Sequence, residues 1–140
     1  MKNFEYYGLF LTEESKTKLK AWLWENDYDF NNDIIKGTLP ENWYLNHCTL
    51  LHRSHDNPSL EGWLDRAISK YPKSTTSFLV DGIGVSEKAM AFRCKIDYCA
   101  NEIPHITICT FNGGKPVDSN SITEWKDIKP IIVKAKLEKR

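Results

Sequence analysis

Two short stretches of the chain are suited to chemistry. "HCTL" at 47–50 and "HITI" at 105–108 both spell His-x-Thr followed by an aliphatic residue. On an extended strand, residues two apart share a face. Each stretch therefore presents an imidazole beside a hydroxyl, while Cys48 and Leu50 in one, and Ile106 and Ile108 in the other, point toward a core. If the two strands lie together, the two pairs line one cleft. That set suits cleavage of a phosphodiester. One imidazole takes the proton of the attacking oxygen and the other protonates the leaving oxygen, a task histidine performs near neutral pH because its unperturbed pKa is ~6.5. The hydroxyls of Thr49 and Thr107 donate to the non-bridging oxygens and stabilise charge as it develops. Phosphoryl transfer depends on positioning and electrostatics, so this scheme requires no metal and no cofactor.

The elements that must hold these residues can be read along the chain. "FEYYGLFL" (4–11) is aromatic-rich and reads as a strand. Thr12 is a helix N-cap, Glu13 and Glu14 occupy the first turn, and Ser15, Leu19, Trp22 and Leu23 keep helical spacing, so 13–25 is an amphipathic helix. Residues 26–42 are polar, contain Gly37 and Pro40, and read mostly as loop. A strand over 43–53 carries the first motif. "NPS" (57–59) starts a helix whose stripe of Leu60, Trp63, Leu64, Ala67, Ile68 and Tyr71 ends at Pro72; Trp22 and Trp63 read as core. Strands at 77–85 and 89–97 are joined by a turn at 86–88. "IPHITICTF" (103–111) is the second motif strand, "NGGKPVDSN" a loop, "SITEWKDI" (121–128) a short helix, and "PIIVKAKLE" (130–138) a final strand opening on Pro130. The order β-α-β-α-β-β-β-α-β predicts a single α+β domain over 1–140, with helices packed on a largely antiparallel sheet.

Composition narrows the class. The 140 residues are 41% hydrophobic and 12% aromatic, which fits a globular chain with a real core. Nineteen basic residues balance 19 acidic ones, which argues against a long double-stranded nucleic-acid groove and leaves room for a local pocket for a phosphate or a nucleic-acid end. The opening "MKNFEYYGLFL" is cut by Glu5 and Gly8 and reads as neither signal peptide nor membrane span, so the cytoplasm is the default compartment. The four cysteines lack a CxxC and read as buried, reduced thiols. A zinc site from His47, His52 and His55 is possible on count, but strand alternation scatters the first two.

The doubled H-x-T-x motif resembles the signature of the 2H phosphoesterase superfamily. "YYGLFLTEES", "GIGVSEKAMAFR" and "PHITI" extend the likeness over roughly residues 5–137, with the cyclic phosphodiesterase part of tRNA-ligase-like RNA repair proteins the nearest relative in kind. The resemblance implies a bilobal fold, two pseudo-symmetric lobes flanking a central cleft. It implies His47 and His105 as the acid–base pair, Thr49 and Thr107 as phosphate binders, and a 2′,3′-cyclic phosphate on an RNA end or nucleotide as substrate. Relatives also act on other cyclic nucleotides and on 2′,5′ linkages, which keeps cyclic oligonucleotide and 2′,5′-oligoadenylate messengers as a second reading. A nucleotide-binding module without turnover is a third and a structural protein a fourth. No G-x-x-x-x-G-K-[ST] stretch accompanies the motifs, so any repair role is this single activity.

Four further residues are candidates for holding substrate. Trp43 shares parity with His47 and is the best aromatic candidate near the cleft. Arg53, at the end of the same strand, has the right parity to reach a phosphate. Lys115 sits in a loop after the second motif, of the kind that covers ligands. Tyr6 and Tyr7 are adjacent, so one faces the core and the other is open to stack on a base, with Tyr7 the candidate. His52 has the opposite parity from His47 and reads as facing elsewhere. The chain reads as a monomer with an RNA terminus or nucleotide as its partner and no membrane.

Overall fold

The structure is a computed structural model and describes residues 4–26 and 41–140. Its elements are β1 (Tyr6–Leu11), α1 (Glu13–Glu25), β2 (Asn42–Trp43), β3 (His47–His52), α2 (Pro58–Lys70), β4 (Thr75–Val85), β5 (Ala89–Lys95), β6 (His105–Thr110), a 3-10 helix (Pro116–Ser121) and β7 (Trp125–Lys139). The loop expected over 26–42 falls mostly outside the described residues.

Every strand pairing is antiparallel. The order β2-β6-β3-β1-β7-β4-β5, with β5 pairing back onto β6, closes the sheet into a barrel. β2 lies on the same flank of β6 as β3, so the two are pieces of one interrupted strand. This is the expected mixture of helices and antiparallel sheet, rich in strands. The strand ladder runs unbroken around the ring and draws no boundary between two lobes.

Local chemistry explains the elements. Thr12 Oγ1 accepts from the Ser15 amide and caps α1, which buries Ser15, Leu19 and Leu23. Asn57 caps α2 by accepting from the Leu60 amide, with Pro58 in the first turn, where its missing N–H costs nothing. The turn at 86–88 is held by Ser86, whose hydroxyl accepts from the Lys88 and Ala89 amides. The core joins Tyr7, Leu9 and Leu11 of β1 with Cys48, Leu50 and Leu51 of β3 and Ile106, Ile108 and Cys109 of β6.

Three expectations need correction. "SITEWKDI" is not a helix: Trp125, Lys126 and Asp127 pair with Gly84, Ile83 and Gly82, and the helical turn ends before them, at Ser121. A Cβ on Gly84 would stand 2.6 Å from the Trp125 ring, so glycine there lets the indole cross the strand. Pro130 does not open the last strand. It lies inside the 15-residue β7, in an irregularity where the pairing jumps from Val80–Ile131 to Gly82–Asp127, so its missing N–H breaks no ladder bond. Arg93 braces that irregularity through Asp81 at 2.9 Å and Asp127 at 2.6 Å. Trp63 is not core: it is 44% exposed and packs at a tilt on Tyr98, leaving Leu64 as the fully buried residue of α2. All four cysteines are free thiols, three buried and Cys99 half-buried.

Candidate active site

β3 and β6 are neighbours, with Cys48 directly opposite Ile106. Extending that register one residue each way sets His47 across from Thr107 and Thr49 across from His105. All four side chains line one cleft of about 490 Å³, in the size range of small-molecule sites. A smaller hollow of about 330 Å³ beside Gly84 and Trp125 shares no residue with it.

The two motif strands are irregular at equivalent places. Tyr7 pairs with Leu51 but Gly8 with Thr49, so Leu50 is an extra residue in β3. Met90 pairs with Cys109 but Ala91 with Thr107, so Ile108 is an extra residue in β6. In both motifs a β-bulge follows the threonine directly. A bulge shifts the alternation by one residue, which buries Leu50 and Leu51 in succession and returns His52 to the face of His47. The expectation that His52 faces away is therefore overturned: it lines the cleft. The Ser54 amide donates to its Nδ1 at 3.1 Å, which leaves the hydrogen on Nε2.

Each catalytic-type residue is held by its surroundings. His47 stacks against both Tyr6 and Phe10, with ring centroids 5.1 and 4.9 Å away and planes 22° and 24° from parallel, and those two rings lie 6.1 Å from each other, so the three form one cluster. Gly8, between those aromatics on β1, leaves the room: a Cβ there would lie 3.5 Å from the His47 ring and 3.2 Å from both Phe10 and the Cys48 carbonyl. Burial lowers the His47 pKa to about 4, and the charges of Arg140 and His105 add to the shift. Burial lowers His105 as well, opposed by the Ile103 carbonyl. That carbonyl, 2.8 Å from Nδ1, accepts its hydrogen and leaves Nε2 for the cleft. Thr107 Oγ1 lies 2.9 Å from the hydroxyl of Ser119, a buried residue of the 3-10 helix. Among the described residues, no three His, Cys, Asp or Glu groups are arranged to hold a metal ion.

A family model described as the fungal tRNA ligase phosphodiesterase domain matches residues 44–130, more than half of the chain. The chain belongs to this family. The matched segment runs from the approach to β3 into β7 and contains both His-x-Thr motifs, so this phosphodiesterase domain is the branch of the 2H phosphoesterase superfamily to which "HCTL" and "HITI" point. A search of curated proteins found no match. Among the described residues, no helix of the phosphodiesterase domain is long and apolar enough to cross a membrane.

Four other residues named from sequence lie away from the cleft of this phosphodiesterase domain. Tyr7 is wholly buried on the opposite face of β1, beside Leu9 and Leu11, and its hydroxyl donates to Asp65 of α2 at 2.5 Å. Tyr6 is the tyrosine of the pair that lines the cleft. Trp43 is 55% exposed on β2 and does not line it, because Leu45, at φ 57°, breaks the strand between Trp43 and His47 and voids the parity argument. Tyr44 takes that place. Arg53 and Lys115 are exposed and stand outside the lining, although their neighbours Ser54, Pro116 and Val117 belong to it. Glu5, Asn46, His55, Asn101 and Asn120 complete the wall. Isolated polar residues in loops gave sequence reading no handle on them, whereas the apolar pair Leu50–Leu51 was a legible sign of the bulge that redirects His52.

Proposed function

We propose that the protein is a metal-independent phosphodiesterase that opens a 2′,3′-cyclic phosphate at the end of an RNA or on a nucleotide, a step of RNA repair or processing. The observation that carries this is the placement of His47 and His105 on paired strands, each across from the other motif's threonine. In the reaction, water adds to phosphorus and one ring P–O bond breaks. One imidazole takes the proton of the water, and the other gives its proton to the departing ribose oxygen. The products are a ribose phosphomonoester and the adjacent free hydroxyl. Thr49 and Thr107 hold the non-bridging oxygens. The two motifs form pseudo-symmetric halves of one site within a single ring of strands, a reading supported by the matching bulges behind Thr49 and Thr107.

The test is hydrolysis of 2′,3′-cyclic nucleotides and cyclic-phosphate-ended RNA in EDTA, with the products identified. Turnover persists in the chelator, and His47→Ala and His105→Ala each lower it by about 10²–10⁴-fold. Full activity in both variants sinks the proposal. Much faster cleavage of cyclic oligonucleotides or 2′,5′-oligoadenylates in the same panel replaces the substrate while keeping the chemistry.

A further inference from the structure

The catalytic cleft does not end at His47. Tyr6, Asn46 and His47 are shared with a second hollow of about 520 Å³, which continues past Phe10 between α1 and β7. Lys16, Lys136 and Arg140 line this extension against one carboxylate, Glu138. In a chain with balanced charge overall, that is a local excess of cations beside the reacting phosphate. On the other side, past His105, the neighbouring hollow is lined by Asn101, Glu102, Ser119, Asn120 and Thr123 and has no lysine or arginine. The groove through the active site is thus electrostatically one-sided.

The cations are also connected to the chemistry in space. The Arg140 guanidinium lies over the Phe10 ring, its Cζ 3.8 Å from the centroid, and Phe10 stacks on His47. One aromatic ring separates the charge from the His47 imidazole. A guanidinium held over an aromatic ring by cation–π attraction still carries several N–H donors for phosphate. Arg140 is fixed from behind: its amide donates to Tyr6, and its carbonyl accepts from Glu5 and Tyr6. Glu138 approaches the guanidinium at 3.4 Å in an exposed pair, the kind of contact that contributes little and yields to a phosphate. Lys16, which lines the extension, also pairs with the exposed Glu13 at 3.1 Å.

We propose that this basic extension, formed by Lys16, Lys136 and Arg140, is a subsite for backbone phosphates of the nucleotides preceding the reacting end, so that the preferred substrate is an oligoribonucleotide and not a mononucleotide. The proposal rests on the reading of the cleft as a cyclic phosphodiesterase for the direction in which the strand leaves. It adds a second place where the substrate is held. A mononucleotide fills the cleft and leaves the extension empty. An oligonucleotide fills both, and the added binding is electrostatic and falls with salt.

Two measurements on the full chain decide it. The first is the ratio of KM for a nucleoside 2′,3′-cyclic phosphate to KM for a tetraribonucleotide with the same end. Expected is a ratio of about ten or more at low salt, falling to within about twofold of unity in Lys136→Glu/Arg140→Gln. Equal KM values in the unaltered protein, or a ratio kept by the double variant, overturn the subsite. The second needs no turnover: fluorescence anisotropy of a labelled tetraribonucleotide ending in a 3′-phosphate, titrated at several salt concentrations. The double variant lowers the slope of log affinity against log salt by about 1.4, the value for two lost contacts to a single strand. An unchanged slope overturns the proposal even if cyclic phosphates are cleaved. A protein that shows this slope loss but hydrolyses no cyclic phosphate keeps the subsite and refutes the phosphodiesterase reading.

Discussion

The hydroxyl of Thr107 lies 2.9 Å from that of Ser119, contributed by the 3-10 helix that follows the second motif strand. When Ser119 donates, the Thr107 hydrogen is released toward the cleft and the phosphate. When Thr107 donates instead, its hydrogen is occupied by Ser119 or by the Pro116 carbonyl at 3.4 Å. On the proposed mechanism, Ser119 as donor is the arrangement that leaves the Thr107 hydroxyl free for phosphate, which makes Ser119 a positioning residue. Replacing it with alanine is expected to lower kcat about tenfold with KM for a cyclic nucleotide changed less, as one lost hydrogen bond predicts. Ser119→Thr, which keeps the hydroxyl, recovers most of the loss. Steady-state kinetics on the three proteins makes the comparison, and a rise in KM with kcat unchanged would remove this role.

The pH profile follows from burial. An acid–base pair is active with one imidazole protonated and the other neutral, so kcat/KM peaks between their two pKa values. His47 is near 4 and His105 is also below the usual histidine range. The optimum is therefore expected below about pH 6.5, with kcat/KM falling as pH rises toward 8. Arg140 is a cause of the His47 shift, so Arg140→Gln raises that pKa and moves the acidic limb upward. Rate profiles of both proteins from pH 4 to 8 test this. An unmoved acidic limb in the variant removes Arg140 from the electrostatics of the site.

The same shift makes a statement about stability. His47 binds a proton near pH 4 when folded and near ~6.5 when unfolded, so between those values the unfolded chain holds more protons. Stability rises with pH across that window and is lost as pH falls from about 6.5 toward 4. His47→Gln has no such proton to bind and is expected to flatten this part of the curve. Thermal melts at pH 7 and pH 4.5 for both proteins give the answer; parallel losses of Tm assign the acid sensitivity to other groups.

Gly8 is where the backbone of β1 makes room for the His47 ring. An added Cβ would meet backbone oxygen of Cys48 and the Phe10 ring at 3.2 Å, tighter than ordinary contact. Gly8→Ala is expected to cost about 1–3 kcal/mol as overpacking and to lower kcat by tilting His47. Urea unfolding and steady-state rates measure the two effects. Wild-type kcat in this variant would show that the stacked arrangement tolerates displacement.

Tyr7 gives the converse case. Its hydroxyl is spent on Asp65 on the core side of β1, and burial and that carboxylate raise its pKa. Tyr7→Phe is expected to destabilise by about 1–2 kcal/mol with activity retained, whereas Tyr6→Ala, which strips one ring from the His47 stack, lowers kcat. Denaturant titrations and kinetics separate them. Lost activity in a stable Tyr7→Phe protein would place Tyr7 at the cleft after all.

Much of this was legible in the sequence. The period-2 pattern of the two motifs gave the right facing for His47, Thr49, His105 and Thr107, because strand alternation is a local property. The same rule applied to β1 was sufficient to reject Tyr7, which shares parity with Leu9 and Leu11. It failed wherever the backbone slips: at the bulge after Thr49, which turns His52 inward, and at Leu45, whose left-handed φ cuts Trp43 off from His47. The segment around Trp125 misled for another reason. Its propensities are weak, and its long pairing with β4 is a contact that no local pattern records. The asparagines of the wall come from loops, which are placed only by the fold as a whole.

The return of β5 onto β6 gives the active site a mechanical character. A pair of lobes joined by a hinge can swing apart to admit a ligand and expel a product. Here the strands bearing His47 and His105 are stitched to one another and into the same hoop, so separating the two imidazoles means tearing ladder hydrogen bonds. The spacing between the two imidazoles is built at folding and does not wait for a ligand. On the proposed reading, the histidine pair keeps its spacing through the reaction, and the segments at the mouth of the cleft, the turn after His52 and the 3-10 helix that carries Ser119, are the parts outside the ladder.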